Sequence, residues 1–425
     1  MTLRTNAERE CGNDTALVVG SGIVGIACAH YLLKSGFAVT VIDQSSVASA
    51  CSHGNLGYIC PSHVLPLTEP GAIGMAIKSF FDRDAPFRVK PRLSVSFCNW
   101  MWQFARRCNR RQMLEAASQL KVLLDSSMTE YRKIISEQTF DCEWHDSGLL
   151  HVLQSQSGMR EFAEKDQLLA NEFGVVARRI EGDELPEFDP AFRPGLGGAF
   201  YYEGDAFVRP DLLCARWYRD LKQKGVTFIE NCKFDGMEKE ARQITKLHTS
   251  QGTLFADQYI FATGAWSAQL SDYLGCGIPV EPGKGYSVTM ERPGFCPKYP
   301  MLFPEHNVGV TPFDRSYRLG SMMEFVGFDT SIPERRIRQL RESTQPYLVE
   351  PFTEHVEDTW YGWRPMTWDS LPIVGRVPRL DNACLATGHN MLGVSLAAGT
   401  GKLIAEIVAE KPTHIDAAAF SPNRF

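Results

Sequence analysis

The chain has 425 residues, of which 44% are hydrophobic and 22% charged, so it can bury a large core and form two domains. Its 44 basic and 50 acidic residues leave a formal net charge of −6, so no basic field favours a nucleic acid partner. No apolar run reaches the roughly 18 residues that a membrane-spanning helix needs.

Residues 1–13 are polar and charged, and they lack the apolar centre of a secretory signal. The twelve cysteines are dispersed along the chain and form no C-x-x-C pair. Both observations favour a cytoplasmic protein whose thiols are reduced.

The stretch 16–43 predicts a strand, a tight turn, a helix and a second strand. The letters GSGIVG at 20–25 fit G-x-G-x-x-G, and an apolar helix follows until Gly36 ends it. Asp43 stands at the end of the second strand. This order is typical of a dinucleotide-binding unit.

Each residue type in this stretch has a mechanical reason. Gly20 permits the turn, Gly22 lets a pyrophosphate approach the backbone, and Gly25 lets the helix pack closely on the strand. The N-terminus of the helix offers unpaired N–H groups to the phosphates. Asp43 can accept hydrogen bonds from ribose hydroxyls, and its charge would repel the 2′-phosphate of NADP. The motif itself does not choose between NAD and FAD.

The loop 44–61 follows directly and is rich in Ser, Gly and Asn, so we expect it to lie against the same ligand. It contains Cys51, His53, Cys60 and His63, which are metal-binding residue types. Their spacing differs from that of zinc sites, and we predict no metal.

The segment 97–107 predicts a helix in which aromatic residues precede a run of arginines. We favour a core helix with a solvated basic end, and an aromatic, basic patch on anionic lipid is the alternative. Further elements are predicted as helices at 74–81, 114–137, 159–173, 210–224 and 333–347, and as strands at 226–231, 255–262 and 279–290.

The apolar strand 255–262 ends in Thr263 and Gly264 before a short helix. A glycine at this position indicates backbone that lies against a ligand, although a simple turn would also have one. The sequence therefore predicts a second contact region in the middle of the chain.

The last segment repeats the opening design, with a strand at 383–387, a glycine turn at 388–393 and a helix at 394–409. Gly399 and Gly401 lie inside that helix, where each costs about 1 kcal/mol relative to alanine. We therefore predict that another element packs tightly against the start of this helix.

Three glycine-bearing contact regions predict a ligand longer than a nicotinamide cofactor requires. FAD would place its phosphates at the first turn and its isoalloxazine at the last. Reduction leaves negative charge near N1 and C2=O of that ring, which a helix N-terminus can stabilise. We predict FAD, with an NAD-dependent dehydrogenase as the alternative.

Five motifs occur along nearly the whole chain: GSGIVG at 20–25, SHGNLG at 52–57, PGKGYS at 282–287, GWRPMTWDSLPIVG at 362–375 and TGHNMLGVSLAAGTGKL at 387–403. On these motifs the sequence resembles the FAD-dependent D-amino-acid oxidase superfamily, most closely the small-subunit type of bacterial D-amino-acid dehydrogenase. GWRPMT and TGHNMLG are the discriminating motifs.

The resemblance implies non-covalent FAD, because neither GWRPMT nor TGHNMLG contains the cysteine of the covalent sarcosine oxidase branch. The cofactor-binding residues that it implies are Gly20, Ser21, Gly22, Ile23, Val24 and Gly25 for the pyrophosphate, Asp43 for the ribose, Gln44, Ser45, Ser52, Asn55, Leu56 and Gly57 in a second flavin-contacting loop, Phe234 at the adenine, Thr263 and Gly264 in the middle motif, and Gly388, His389, Met391, Leu392, Gly393 and Val394 beneath the flavin.

One departure concerns the second loop, which often reads S-A-A-N-A-G in the family. Here His53 and Gly54 replace two alanines. We therefore expect a different side-chain environment near the flavin.

The resemblance implies two catalytic residues, Arg364 and Tyr286. A guanidinium can fix a planar carboxylate through two hydrogen bonds and so orient the Cα–H bond toward flavin N5. The alternative for Arg364 is a structural salt bridge. Tyr286 lies where the family often places an aromatic or hydroxyl group over the substrate. We expect His389 to contact the flavin region through its backbone and not to act as a base.

The activity implied is oxidative deamination of D-amino acids by hydride transfer from Cα to flavin N5, which gives an imino acid and then a 2-oxo acid and ammonia. D-proline, cis-4-hydroxy-D-proline, glycine or sarcosine are alternative substrates, and a flavin-binding regulatory protein is the non-enzymatic alternative. The acceptor of the electrons is a quinone, a dye or oxygen. Peripheral contact with the inner face of the cell membrane stays open.

The predicted fold is α/β, with a Rossmann-like FAD-binding domain of the glutathione-reductase type interleaved with a mixed-sheet α+β substrate domain. The FAD-binding domain would comprise residues 14–58, 206–278 and 360–425. The substrate domain would comprise residues 59–205 and 279–359.

Overall fold

The computed structural model describes residues 14–74, 85, 87–92 and 94–425. The expectation for residues 1–13, and all but the first residue of the predicted helix 74–81, lie outside these residues.

The helices are α1 (Ile23–Lys34), α2 (Val95–Arg107), α3 (Arg110–Gln138), α4 (Gln156–Phe173), α5 (Leu185–Phe188), α6 (Pro210–Gln223), α7 (Ser271–Leu274), α8 (Glu334–Glu342) and α9 (Gly393–Val408). The strands are β1 (Thr15–Val19), β2 (Ala38–Ile42), β3 (Tyr58–Ile59), β4 (Phe87–Val89), β5 (Leu149–Leu153), β6 (Arg178–Glu181), β7 (Gly198–Tyr202), β8 (Ala206–Phe207), β9 (Thr227–Ile229), β10 (Phe234–Glu240), β11 (Gln243–Thr249), β12 (Gly252–Leu254), β13 (Gln258–Phe261), β14 (Val280–Met290), β15 (Met301–Phe303), β16 (Val308–Pro312), β17 (Tyr317–Phe325), β18 (Val356–Thr367), β19 (Ile373–Arg376) and β20 (Ala383–Thr387).

Within the described residues, β1 lies inside a six-stranded sheet with the order β19-β20-β13-β1-β2-β9. All neighbours are parallel except β19, which runs antiparallel to β20. The carboxyl ends of β1, β13 and β20 therefore meet at one edge of the sheet. This edge brings together the three glycine-bearing regions that the sequence predicted.

Helix α9 packs closely on α1 and α3 because it carries two glycines. A Cβ atom built at Gly401 would lie 2.5 Å from the backbone carbonyl of Ala27 in α1. One built at Gly399 would lie 3.1 Å from the carbonyl oxygen of Leu123 in α3. The predicted tight packing against this helix is confirmed.

We expect Gly401→Ala to lower the free energy of unfolding by about 1–3 kcal/mol, because the added methyl group pushes α9 away from the backbone of α1. At an unobstructed helix position the same change would stabilise by about 1 kcal/mol, so the sign itself is diagnostic. Urea-induced unfolding measures it. Gly204→Ala is the control, because a Cβ there meets no atom within 4 Å. A more stable Gly401→Ala protein would contradict the packing described.

A second, nine-stranded sheet has the order β18-β14-β17-β16-β15-β5-β7-β6, with β4 beside β17, in the part of the chain described. It is mixed, since β15 pairs parallel with β5 and most other neighbours are antiparallel. β18 forms one edge and carries Arg364. The boundary predicted at residue 360 falls inside this strand, and the domain limits stay a prediction.

Helix α2 buries three of its four aromatic residues, as the core interpretation required. Phe97, Trp100 and Phe104 are buried, whereas Trp102 is 54% exposed and lies beneath the Arg106 guanidinium. The structure therefore favours a core helix over an aromatic lipid-binding face. Of the helices described, none combines the length and the apolar character needed to cross a bilayer.

Candidate functional site

A cleft of about 650 Å³ lies between the carboxyl edge of the six-stranded sheet and β18. Its volume is within the range of about 300–1,000 Å³ that is usual for small-molecule sites. The predicted cofactor-binding residues that line it are Gly20, Gly22, Ile23, Val24, Asp43, Gln44, Ser45, Ser52, Asn55, Phe234, Thr263, Gly264, His389, Met391, Gly393 and Val394.

The other predicted cofactor-binding residues shape the turns behind this surface. They are Ser21, Gly25, Leu56, Gly57, Gly388 and Leu392. A Cβ at Gly25 would lie 1.8 Å from the carbonyl oxygen of Gly20, and one at Gly57 would lie 1.9 Å from that of Val208. Only glycine fits at these two positions, because any Cβ there would overlap a backbone carbonyl oxygen.

The carboxylate of Asp43 holds the first glycine turn in place. The amide and hydroxyl of Ser21 donate to its Oδ2 at 2.7 and 2.8 Å, and the amide of Ser45 donates to Oδ1 at 2.9 Å. Gly20 permits the turn because its φ is +107°. The carboxylate also lines the cleft, and its contact with a ribose stays a prediction.

Three glycines from separate parts of the chain present bare backbone to the cleft. A Cβ at Gly264 meets no atom within 4 Å, one at Gly22 meets only the Ser52 hydroxyl at 3.6 Å, and one at Gly393 meets only Cβ of His389 at 3.8 Å. The last two stand at the N-termini of α1 and α9, which favour negative charge. These residues fit an elongated dinucleotide with a phosphate end and a charge-accepting ring.

Hydroxyl groups connect the middle contact region to the last one. The Ser267 hydroxyl lies 2.8 Å from that of Thr263 and 2.7 Å from that of Thr387. The Thr387 hydroxyl lies 3.0 Å from the carbonyl oxygen of Gly264, to which it can donate. The ends of β13 and β20 are thereby fixed relative to each other.

Asn390, which the sequence analysis did not select, ties the last turn to the end of β18. Its backbone N–H donates to the carbonyl of Pro365 at 3.1 Å, and its side-chain Oδ1 accepts from the backbone N–H of Thr367 at 2.9 Å. Its φ of +52° is a conformation that asparagine tolerates better than most residues. An asparagine within a glycine-rich turn was the available signal.

The His389 ring is buried beside the hydroxyl of Thr400, with its Nε2 at 3.0 Å. Burial lowers the pKa of His389 to about 3, so the ring is neutral at physiological pH. A buried ring with so low a pKa is a weak proton acceptor, and the expectation that His389 does not act as a base stays a prediction.

The cysteines and histidines that the sequence offered as candidate metal ligands lie in different environments. Cys51 lines the cleft, His53 lies 3.5 Å from a carboxylate oxygen of Asp358, and Cys60 and its neighbour Ser62 lie against buried Asp205. In the described ranges no cluster of His, Cys, Asp or Glu side chains has the composition to hold a metal ion.

Arg364 projects from β18 over Gly285 of the neighbouring strand. A Cβ at Gly285 would lie 2.3 Å from Nη1 of Arg364, so only glycine leaves room for the guanidinium. Nη1 donates to the carbonyl of Met322 at 2.7 Å. Burial lowers the pKa of Arg364, and its hydrogen bonds among the described residues go to Met322 and Met323 and to no carboxylate. The arrangement therefore presents an unneutralised cation at the wall of the cleft.

Tyr286 lies inside the nine-stranded sheet and not among the residues that line the cleft. It is buried, and its hydroxyl donates to Glu324 at 2.5 Å. Glu324 in turn pairs with Arg336. Its cross-strand partner Tyr361 lines the cleft, as does Tyr273. Tyr286 is therefore not brought to the surface of the cleft, and its role at the substrate stays a prediction.

Several cleft-lining residues were missed because they lie outside the motif positions carried over: Cys51, Trp266, Trp360, Tyr361 and Asn390. Of the two tryptophans in the motif at 362–375, Trp363 lines the cleft, whereas Trp368 packs against Phe425. The clustering of aromatic residues before Arg364 was the only signal for Trp360.

Comparison of sequences identifies similar proteins. A family model described as FAD dependent oxidoreductase (DAO) matches residues 15–407. D-amino acid dehydrogenase of Neisseria meningitidis serogroup C (strain 053442) is 30% identical over 415 residues, which cover 96% of this chain and 99% of that protein. D-amino acid dehydrogenase of Vibrio vulnificus (strain YJ016) is 31% identical over 404 residues, which cover 92% and 95%.

Solved structures share the fold. Glycine oxidase from Geobacillus kaustophilus has a TM-score of 0.79 at 20% identity, and the match covers 97% of this chain and 100% of that one. L-proline dehydrogenase from P. horikoshii has a TM-score of 0.74 at 19% identity, with coverage of 97% and 98%. The predicted fold, a Rossmann-like FAD-binding unit combined with a mixed sheet, is confirmed.

Proposed function

Since the chain belongs to the FAD dependent oxidoreductase (DAO) family, we propose that it oxidises the Cα–N bond of D-amino acids with non-covalently bound FAD. The product is an imino acid, which water converts to a 2-oxo acid and ammonia. The D-amino acid dehydrogenases that are about 30% identical over nearly the whole chain support this substrate class. The observation that carries the proposal is the Arg364 guanidinium, which faces the cleft without a carboxylate partner among the described residues.

The glycine turn before α1, the Ser52 hydroxyl and the end of β13 would hold the phosphates and linker of FAD, and the N-terminus of α9 would lie at its ring. When bound, FAD accepts at N5 the hydride that leaves Cα. The Ser52 hydroxyl accepts from the backbone amide of Ile23 at 3.1 Å, which fixes the loop after Asp43 to the N-terminus of α1. The chain thus supplies binding and orientation.

Arg364 would bind the substrate carboxylate through two parallel N–H donors and so fix the direction of the Cα–H bond. The Met322 carbonyl holds Nη1 in position. Neutral His389 is bonded to Thr400 and contributes no charge. The substrate amine must enter deprotonated or lose its proton to solvent, because we assign no general base.

Cyclic imino acids such as D-proline and cis-4-hydroxy-D-proline are the second candidate substrates. Trp360 lies on the face of β18 that carries Arg364, and its flat apolar surface suits a ring. Glycine and sarcosine have little or no apolar side chain to occupy these surfaces.

Anaerobic bleaching of the flavin absorption by a panel of D-amino acids, D-proline, glycine and sarcosine tests the proposal. We expect a yellow protein that D-amino acids bleach and their L-enantiomers do not. Readmission of oxygen, then of a quinone or dye, identifies the acceptor by the return of colour. A yellow protein that no substrate bleaches would favour the regulatory flavin-binding role. A colourless protein would favour the NAD-dependent alternative.

A further inference from the structure

Trp360 and Arg364 lie on the same face of β18, above two glycines that face each other across the strands. Gly362 pairs directly with Gly285 in the antiparallel register of β14 and β18. A Cβ at Gly362 would lie 2.1 Å from Cη2 of the Trp360 indole, and one at Gly285 would lie 2.3 Å from the Arg364 guanidinium. Directly opposed residues in such a pair are about 4.5–5.5 Å apart. The indole and the guanidinium are therefore neighbours on the wall of the cleft.

The indole is held from a second direction by the loop that follows Asp43. A Cβ at Gly54 would lie 2.1 Å from Cδ2 and 2.4 Å from Cε3 of Trp360. Gly54 does not have a positive φ, so alanine is conformationally permitted there and only the indole excludes it. The two glycines, one on the loop and one on the strand, fix the plane of the Trp360 side chain.

We infer that Trp360 determines substrate specificity by forming the apolar wall that receives the Cα substituent of the substrate, while Arg364 holds the carboxylate. This inference rests on the proposed function. An aromatic face stabilises apolar and aromatic groups and offers no partner to a carboxylate or ammonium side chain. The preferred substrates are therefore D-amino acids whose side chain is apolar, aromatic or closed into a ring.

The roles of Trp360 and Arg364 can be distinguished by the binding of two carboxylates that the protein cannot oxidise. Benzoate carries an aromatic ring next to its carboxylate, whereas acetate carries a methyl group. The holoenzyme is titrated with each, and the change in flavin absorption reports the dissociation constant. We expect benzoate to bind about tenfold or more tightly than acetate, because only benzoate lies on the indole.

The Trp360→Ala variant is expected to raise the dissociation constant of benzoate about tenfold and to change that of acetate less than about twofold. Arg364→Ala is expected to raise both dissociation constants. The Gly54→Ala variant displaces the indole and is expected to weaken benzoate selectively. In the double variant Gly54→Ala/Trp360→Ala, the change at position 54 has no further effect, because the clash is gone. Gly204→Ala is the control that changes neither constant.

An equal loss of affinity for benzoate and acetate in Trp360→Ala would overturn the inference. So would a Gly54→Ala change in benzoate affinity that persists in the absence of the indole. If Trp360→Ala fails to retain flavin, Trp360→Leu and Gly54→Ala replace it in the same comparison. These titrations need no turnover. A holoenzyme that shows the expected pattern but is bleached by no D-amino acid would contradict the proposed function, and Trp360 would then be the apolar wall of a carboxylate-binding site and not a determinant of substrate specificity.

Discussion

Arg364→Ala lowers kcat/KM by roughly 10²-fold or more for every D-amino acid that the protein oxidises. The guanidinium is buried at the wall of the cleft, and its only hydrogen bonds in the described structure go to the carbonyl of Met322 and, weakly, to the sulfur of Met323. In the proposed role, its loss removes a charge-assisted, bidentate contact with the substrate carboxylate. Steady-state kinetics with two substrates of different side chain measures the effect.

Arg364→Lys is the matched variant, because it keeps the charge and removes the planar fork. We expect it to lie between the wild type and Arg364→Ala. Arg338→Ala is the control, since this arginine is 70% exposed and pairs with Glu342 on the surface of α8. Near-wild-type kinetics of Arg364→Ala, with flavin content unchanged, would rule out the carboxylate-binding role.

Gly25→Ala yields a protein that is purified with little flavin and unfolds at a lower temperature. The added Cβ would lie 1.8 Å from the carbonyl oxygen of Gly20, which belongs to the backbone and cannot swing aside as a flexible side chain can. The first glycine turn must therefore open, and α1 must move away from β1. The change disturbs both the phosphate-binding amides and the core, so we expect a loss of about 1–3 kcal/mol in stability.

Flavin content follows from the ratio of absorbance at 450 and 280 nm, and stability follows from thermal unfolding of the same samples. Adding free FAD to the variant separates weakened binding from a misfolded protein, because a folded variant regains colour at high concentration. Gly204→Ala is again the control, because a Cβ at this position meets no atom within 4 Å. A Gly25→Ala protein with normal colour and stability would contradict the backbone contact.

Local sequence patterns determined the elements that bind the cofactor. The alternation of apolar strand, glycine turn and apolar helix at both ends of the chain depends on interactions between near neighbours, and the structure has strands β1 and β20 and helices α1 and α9 at those places. Gly399 and Gly401 predicted a close helix contact because glycine inside a helix is unfavourable unless space is short. Family membership likewise follows from motifs that can be read in order.

Tertiary structure alone decided which side chains face the cleft. Successive residues of a strand point to opposite faces, so Tyr286 and Arg364 are separated by the register of β14 and β18, which no short motif encodes. The surroundings of Arg364 depend on its contacts with Gly285 and Met322 on neighbouring strands, and the position of Trp360 depends on Gly54, which lies in a distant part of the chain. Such contacts are set by how two sheets and a loop pack together. For that reason the sequence indicated the cofactor site, whereas the wall that we propose for the substrate became visible only in the folded chain.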